Sequence, residues 1–131
     1  MNGIDCIATA IMWREGAPGF KPGARSFKNM NPGNLRSPDW PTHDAGGFDV
    51  YGDFIAGYES LTGDLEDKFQ TGKNAHGLGP QSTLADLFKI YAPTEDANDP
   101  ASYALFVAAW VGVALGLPVT VNTLLGDIWK P

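Results

Sequence analysis

The apolar positions near the start of the chain predict a helix over residues 3–14. They recur every three or four residues, the spacing of a helix with one buried face, and they are Ile4, Ile7, Ala8, Ile11 and Met12. Residues 16–33 contain four glycines and three prolines, so a loop is predicted there. Glu15 therefore stands where a buried helix ends and a turn-rich loop begins.

The next apolar stretches are short and predict a small β-hairpin. Residues 35–36 and 48–51 have the length and composition of two short strands. Residues 37–47 lie between them and contain two prolines and a Gly-Gly pair, which predicts a long hairpin loop.

A long helix is then predicted, with Asp53 as its cap and an end near residue 69. Its apolar positions again follow helical spacing, at Phe54, Ile55, Tyr58, Leu61, Leu65 and Phe69. Gly57 and Gly63 weaken this helix locally, which indicates that each glycine permits close packing. A loop rich in Gly and Asn is predicted over residues 71–82.

Two short helices are predicted in the second half of the chain. Either Ser82 or Thr83 caps the first, and Pro93 ends it. The second is predicted near residues 120–129, where it closes the chain.

Between them lies the most apolar helix of the chain, predicted over residues 100–115. Asp99 and Pro100 give it a cap residue followed by proline at the first helical position. Because it is apolar nearly all round, it is expected at the centre of the domain, with four side chains almost inaccessible to solvent: Phe106, Val107, Trp110 and Val111. The predicted fold class is α+β and mainly α, in a single domain over residues 1–131.

Composition excludes several classes of function. The net charge of −6 and the lack of a Lys/Arg run argue against nucleic-acid binding. The most hydrophobic segment, residues 103–115, is too short to span a bilayer, and no signal peptide is visible, so synthesis in the cytoplasm is expected. The single cysteine, Cys6, excludes an internal disulfide and is expected to pack in the core.

Candidate chemistry centres on Glu15. A carboxyl group at the end of a buried helix, facing a tight Asn/Gly turn, suits a general acid shielded from water. His43 and His76 lie far apart in predicted loops without Cys or Glu at ligand spacing, so no metal site is expected. No phosphate-binding glycine loop and no serine nucleophile elbow are found either, and no cofactor is expected.

Several short motifs follow one another over roughly residues 4–116. In order they are Glu15-Gly16, Ser26-Phe27-Lys28-Asn29, the NPGNLR sequence at residues 31–36, Gly47-Phe48-Asp49-Val50-Tyr51 with Phe54 and Gly57-Tyr58, and Tyr91-Ala92-Pro93 with Glu95, Asn98 and Tyr103. This ordered set resembles the lysozyme-like proteins of phages and prophages. That family includes small virion structural proteins related to lytic transglycosylases and to bacterial N-acetylglucosaminidases.

The resemblance implies a lysozyme-like fold, in which the first core helix ends with the catalytic glutamate and a β-hairpin forms the opposite wall of a saccharide groove. Glu15 matches that glutamate by position. Residues expected to bind substrate are Asn31, Asn34 and Arg36 in the hairpin motif, and Tyr91 and Tyr103 at aromatic positions near the groove.

Each of these residues also has a purely structural interpretation. Pro-Gly-Asn is strong turn chemistry by itself, and the two tyrosines can equally close the core. For catalysis, Gly33 lets the chain turn sharply, so Asn34 is expected within reach of Glu15, directly or through one water.

Glycoside hydrolysis usually requires a second carboxylate, as nucleophile or as base for water. Asp44 and Asp49 are the candidates on the predicted hairpin wall, ahead of Asp39 and of Asp53, which caps a helix. Aspartates also favour turns and strand exits for structural reasons. A lytic transglycosylase requires no second carboxylate, because the sugar's own 6-hydroxyl attacks and leaves a 1,6-anhydro product.

The resemblance thus implies an enzyme that cleaves the β-1,4 bond between N-acetylmuramic acid and N-acetylglucosamine at the cell wall or in the periplasm. The alternative is a non-catalytic phage or prophage structural protein that keeps a saccharide-binding fold, with virion or other phage proteins as partners. The acidic net charge favours this alternative, since peptidoglycan is itself anionic.

Overall fold

The computed structural model describes residues 2–16, 23–71, 77–93 and 98–129. The protein is mainly helical, as predicted. Its helices are α1 (Gly3–Glu15), α2 (Arg25–Lys28), α3 (Phe54–Glu66), α4 (Leu84–Tyr91), α5 (Pro100–Leu115) and α6 (Leu125–Ile128). A π-helical turn, Asp67–Thr71, directly continues α3.

The chain divides into two compact units. The first, here called the Glu15 unit, comprises Ile11–Gly63, and the second comprises the residues up to Ala10 together with those from Asp64 onward.

Helix α1 ends at Glu15, one residue beyond the predicted end. Four of its five predicted apolar positions, Ile4, Ile7, Ala8 and Ile11, are buried together with Cys6, while Met12 is half-buried. Burial raises the pKa of the Cys6 thiol, which suits a packing residue rather than a nucleophile. Gly16 ends the helix in the left-handed region, with φ 92°, and its N–H donates to the Trp13 carbonyl at 3.2 Å.

The helix starts in the second unit follow the predicted capping residues. The Thr83 hydroxyl accepts from the Asp86 N–H at 3.1 Å, and the Asp86 carboxylate accepts from the Thr83 N–H at 2.9 Å. The Asp99 carboxylate accepts from the Ser102 N–H at 3.1 Å at the start of α5. These side chains satisfy N–H groups that a helix start leaves without partners.

Helix α5 is buried on one face only. Its buried residues are Tyr103, Ala104, Val107, Ala108 and Val111. Phe106 and Trp110 are only half-buried, while Leu105 is 62% and Val113 86% exposed. The prediction that α5 is buried on all sides was therefore wrong, because an apolar sequence does not indicate which face has packing partners.

The predicted β-hairpin is replaced by a tighter turn. In the described chain, His43 and Asp49 form an isolated antiparallel bridge, and no strand or sheet is present. The Val50 N–H donates to the Thr42 carbonyl at 2.9 Å, whereas residues 35–36 pair with residues 48–51 through one bond, from Asp49 N–H to Leu35 carbonyl. The β part of the predicted α+β class is thus corrected.

The first predicted loop and the last predicted helix differ from the structure, and some of the predicted residues lie outside the described ones. The predicted loop over residues 16–33 contains α2, and the predicted final helix shortens to Leu125–Ile128. The motif residue Glu95 and the candidate His76 lie outside the described residues, as does part of the predicted loop over residues 71–82.

Candidate functional site

The site begins at the end of α1, where two neighbouring segments hold Glu15. The Ser26 hydroxyl donates to the Glu15 carbonyl at 2.8 Å, which satisfies one of the carbonyls that a helix end leaves open. Asn34 Nδ2 donates to Glu15 Oε1 at 2.7 Å. The contact predicted between Asn34 and Glu15 is therefore present, and it is direct.

The backbone that delivers Asn34 adopts an uncommon conformation. Met30 has φ 51° and Asn34 has φ 49°, the left-handed region that residues other than glycine rarely adopt. Asparagine tolerates this region, but methionine has no such preference. Surrounding structure has to hold such residues in place, and they occur often at functional sites.

Helix α3 fixes the same turn through Gly57. A Cβ atom added at Gly57 would overlap the Met30 carbonyl oxygen. Only glycine at this position therefore lets α3 lie this close to the backbone of the turn. Gly63 has open space around it, so the packing role predicted for both glycines applies to Gly57 alone. Asp53 Oδ1 accepts from the Ala56 N–H at 2.8 Å and caps α3 as predicted.

Asn31 holds the turn from inside and is not a substrate ligand. It is fully buried, and its Nδ2 donates to the Leu35 and Asp49 carbonyls at 3.1 and 2.9 Å. Its Oδ1 accepts from the Leu35 N–H at 2.9 Å. Because its amide groups are engaged and inaccessible to a ligand, the predicted substrate-binding role of Asn31 is corrected to a structural one.

Among the described residues, the nitrogen of the Asn34 amide has a hydrogen-bond partner and the oxygen has none. Its nitrogen faces the Glu15 carboxylate, while its Oδ1 is buried and meets no donor among the described residues. A buried acceptor left in this state costs about 1–3 kcal/mol.

Asp49 is a structural carboxylate. Its side chain is fully buried, and it accepts from the Ser37 N–H at 2.8 Å and from the Tyr51 hydroxyl at 2.9 Å. His43 Nε2 lies 3.2 Å from its Oδ1. Burial, assisted by the neighbouring Asp49, raises the pKa of Tyr51 to about 12. The expected position of Asp49 on a groove wall was wrong, since the side chain points inward to these partners.

Asp44 organises the turn over residues 44–48. Its Oδ1 accepts from the N–H groups of Gly46 and Phe48 at 2.9 and 3.0 Å, the pattern of an aspartate in a turn. Its Oδ2 accepts from Asn29 Nδ2 at 2.9 Å and lies 3.5 Å from Arg25 Nε. The hydrogen bond from Asn29, followed by that from Phe48, lowers the pKa of Asp44.

Arg36 lies over an aromatic ring next to this turn. Its Cζ is 4.1 Å from the centroid of the Phe48 ring, and the Cζ of Arg25 is 4.0 Å from the same centroid. Arg36 is exposed, and the Arg25 side chain is 51% exposed. The predicted ligand Arg36 is therefore accessible, in company with a second arginine that the sequence did not single out.

The two candidate tyrosines belong to the second unit. Tyr103 is 3% exposed and stacks on Phe88, with ring centroids 4.6 Å apart. Tyr91 is half-buried and meets both rings edge-on, at 5.9 and 6.2 Å. Tyr103 therefore closes the core, which corrects its predicted substrate-binding role, and Tyr91 packs against it.

Sequence reasoning missed the structural roles of Ser26, Asn29 and Phe48. The first two begin and end the Ser26-Phe27-Lys28-Asn29 motif, and polar residues at these positions indicate contacts with neighbouring turns. No local sequence pattern indicates that Phe48 contacts two arginines from separate segments.

Among the described residues, no group of His, Cys, Asp and Glu is arranged to hold a metal ion. No helix in the described ranges is long and apolar enough to cross a membrane. Comparison with protein-family models, with curated proteins and with solved structures found no match.

Proposed function

We propose that the protein is a lysozyme-like enzyme that cleaves the β-1,4 bond between N-acetylmuramic acid and N-acetylglucosamine in peptidoglycan. The observation that carries this proposal is the 2.7 Å hydrogen bond from Asn34 to Glu15. It fixes a half-buried carboxyl at a helix end, held on its backbone side by Ser26.

In this mechanism Glu15 transfers a proton to the glycosidic oxygen as the bond from that oxygen to the anomeric carbon breaks. The carboxylate then takes a proton from the nucleophile that attacks the anomeric carbon. A single residue thus acts first as acid and then as base. Asn34 holds the carboxyl in place before substrate arrives, which is the advantage of a preorganised group.

The second half of the Asn34 amide supports a saccharide as substrate. Its Oδ1 meets no donor among the described residues, and in this proposal binding opens the turn so that a hydroxyl or acetamido N–H of an N-acetylated sugar donates to this oxygen. One amide then contacts both the acid and the substrate, so the bound sugar is aligned with the group that donates the proton.

The candidate second carboxylates support the transglycosylase variant. Asp49 is fully buried among its partners, and both oxygens of Asp44 accept hydrogen bonds, Oδ1 from its own turn and Oδ2 from Asn29. With the 6-hydroxyl of the muramic acid as nucleophile, no second carboxylate is required. The product then carries a 1,6-anhydro end and no new oxygen from water.

The alternative is a non-catalytic phage structural or saccharide-binding protein that retains this fold. The net charge of −6 favours it, because an anionic wall polymer and an acidic protein repel each other at long range. In both cases we place the protein at the cell wall, with the glycan strand as ligand, and virion or other phage proteins are partners in the alternative.

Mass spectrometry of purified peptidoglycan, incubated with the protein in water enriched in heavy oxygen, tests the proposal. We expect unlabelled products with 1,6-anhydro ends. Labelled reducing ends would indicate hydrolysis and return attention to Asp44. Strands that stay intact while the protein binds them would favour the non-catalytic alternative.

A further inference from the structure

We propose that the exposed face of helix α5 is an interface through which two copies of this chain pair, antiparallel, about a two-fold axis. This inference goes beyond the proposed function, because α5 belongs to the second unit and the pairing does not depend on any activity of Glu15. The residues that carry it are exposed, apolar and four positions apart. They are Ala101, Leu105, Ala109 and Val113, and we call them the α5 ridge.

The α5 ridge has the geometry by which helices pack on one another. A row of side chains spaced by four forms a continuous ridge on the helix surface, and such a ridge fits between the corresponding rows of a second helix. The opposite face of α5 already packs inside its own unit, with Tyr103, Val107 and Val111 buried. Leu105 and Val113 are the side chains that remain for a second helix to cover.

The ridge is complementary to itself about Ala109. Leu105 and Val113 lie four positions before and four positions after this small residue. A two-fold axis at Ala109 therefore sets Leu105 of each copy against Val113 of the other, and the two alanines meet where the helices are closest. A two-fold interface requires this reciprocity, because each contact between two different residues has to occur twice.

The distribution of charge favours a second copy as the occupant and sets its direction. Helix α5 has no charged side chain, so pairing removes no charge from water and offers no charge by which a different partner could be selected. Asp99 caps the start of the helix. Parallel pairing would bring the two Asp99 carboxylates and the two helix N-termini together, whereas antiparallel pairing separates them.

The size of the ridge predicts a weak dimer. Helix α5 has 16 residues, so it is about 24 Å long, and a helix is about 10 Å wide. Each copy then covers on the order of 240 Å² along the ridge, and stable interfaces bury roughly 1,200 Å² or more in total. We therefore expect a monomer–dimer equilibrium between about 10 µM and 1 mM rather than a permanent dimer.

The first test is sedimentation velocity of the wild-type protein over that range of concentration, which requires no variant to fold. We expect the sedimentation coefficient to rise from that of a monomer toward that of a dimer. A monomer at every concentration would overturn the proposal. Growth beyond a dimer would also overturn it, because a two-fold interface is closed once two copies have paired.

The dependence on salt distinguishes an apolar interface from a charged one. The net charge of −6 makes two copies repel each other, and salt screens this repulsion. Pairing through the uncharged α5 ridge should therefore strengthen when salt is raised from about 0.05 to 0.5 M. Weaker pairing at the higher salt would indicate contacts between opposite charges and would exclude the ridge as the interface.

A pair of matched variants locates the interface. Val113→Glu places a charge at the centre of the paired surface and should raise the dissociation constant about tenfold or more. Its control is Ile55→Glu, which makes the same change of charge at a 69% exposed apolar position of α3. Only Val113→Glu is expected to weaken pairing. Equal effects of the two variants would refute the placement of the interface on α5.

Disulfide cross-linking under mild oxidation tests the direction of pairing. Where two helices cross with about 8–10 Å between their axes, facing Cα atoms lie within about 7 Å, which a disulfide can bridge. Ala109→Cys should therefore form a cross-linked dimer. Leu105→Cys should not, since antiparallel pairing places its two copies about 12 Å apart along the helix. The wild-type protein, whose Cys6 is fully buried, is the control, and cross-linking that is faster for Leu105→Cys than for Ala109→Cys would contradict the proposed arrangement.

Discussion

Replacing Asn34 separates a catalytic role of this amide from a role in the turn. Alanine removes the amide but keeps a Cβ at φ 49°, where an L-residue without the Asn or Asp side chain pays about 1–2 kcal/mol. Glycine removes the side chain without that strain. Asn34→Gly is therefore the informative variant, and Asn34→Ala is its control for backbone strain.

The effect of Asn34→Gly on stability is expected to be small because two contributions oppose each other. The lost hydrogen bond to the Glu15 carboxyl, 2.7 Å long, contributes about 1.5–3 kcal/mol if the carboxyl is charged. Removing the buried Oδ1 relieves about 1–3 kcal/mol of unsatisfied burial. The extra freedom of glycine in the unfolded chain costs about 0.5–1 kcal/mol. At the middle of these ranges the net loss is about 1 kcal/mol, a shift in melting temperature of a few degrees.

The effect on turnover is expected to be larger. If Asn34 positions the acid, loss of an interaction of about 1.5–3 kcal/mol lowers kcat by about 10- to 100-fold. Turnover is measured as soluble fragments released from sacculi, and stability as the thermal transition in circular dichroism. If Asn34→Gly melts lower but keeps wild-type turnover per folded molecule, the amide serves only the turn and our interpretation of the site is wrong.

Two further predictions concern the support of the site. Gly57→Ala should destabilise the protein by about 1–3 kcal/mol, because the added Cβ overlaps the Met30 carbonyl. Gly63→Ala, with open space at the same helix, should stabilise it by up to about 1 kcal/mol; similar effects of both variants in urea unfolding would refute the close approach. The pKa of Asp44 is lowered in the folded protein, so its contribution to stability is present above its ordinary pKa and is lost as pH falls through the folded value. Asp44→Asn should therefore flatten the fall in stability below about pH 4, and an unchanged acid profile would contradict that assignment.

The starts of α3, α4 and α5 could be predicted from the sequence because capping is local. Asp53, Thr83 and Asp99 each bind an N–H three residues along the chain, so neighbouring residues alone decide the outcome. The Asn34 contact with Glu15 joins residues 19 apart in the chain, and its prediction came from the resemblance together with the turn that Gly33 allows.

The errors arose where distant residues determine the structure. Asp49 was expected to face a groove, but Ser37, Tyr51 and His43 surround its carboxylate, and no periodicity encodes those partners. The exposed face of α5 was missed because its sequence is apolar on every side, so only the packing shows which residues remain accessible.

The most direct test of the central claim is the effect of Glu15→Gln on peptidoglycan cleavage, measured by mass spectrometry of the released fragments. Glutamine keeps the shape of the side chain and removes the proton that it donates. The control is Glu59→Gln, the same substitution at an exposed position of α3. We predict fragments with 1,6-anhydro ends from the wild-type and Glu59→Gln proteins, and a loss of about 100- to 10,000-fold in Glu15→Gln with its fold intact. Undiminished release by Glu15→Gln, or no release by the wild-type protein, would contradict the assignment of Glu15 as the catalytic acid.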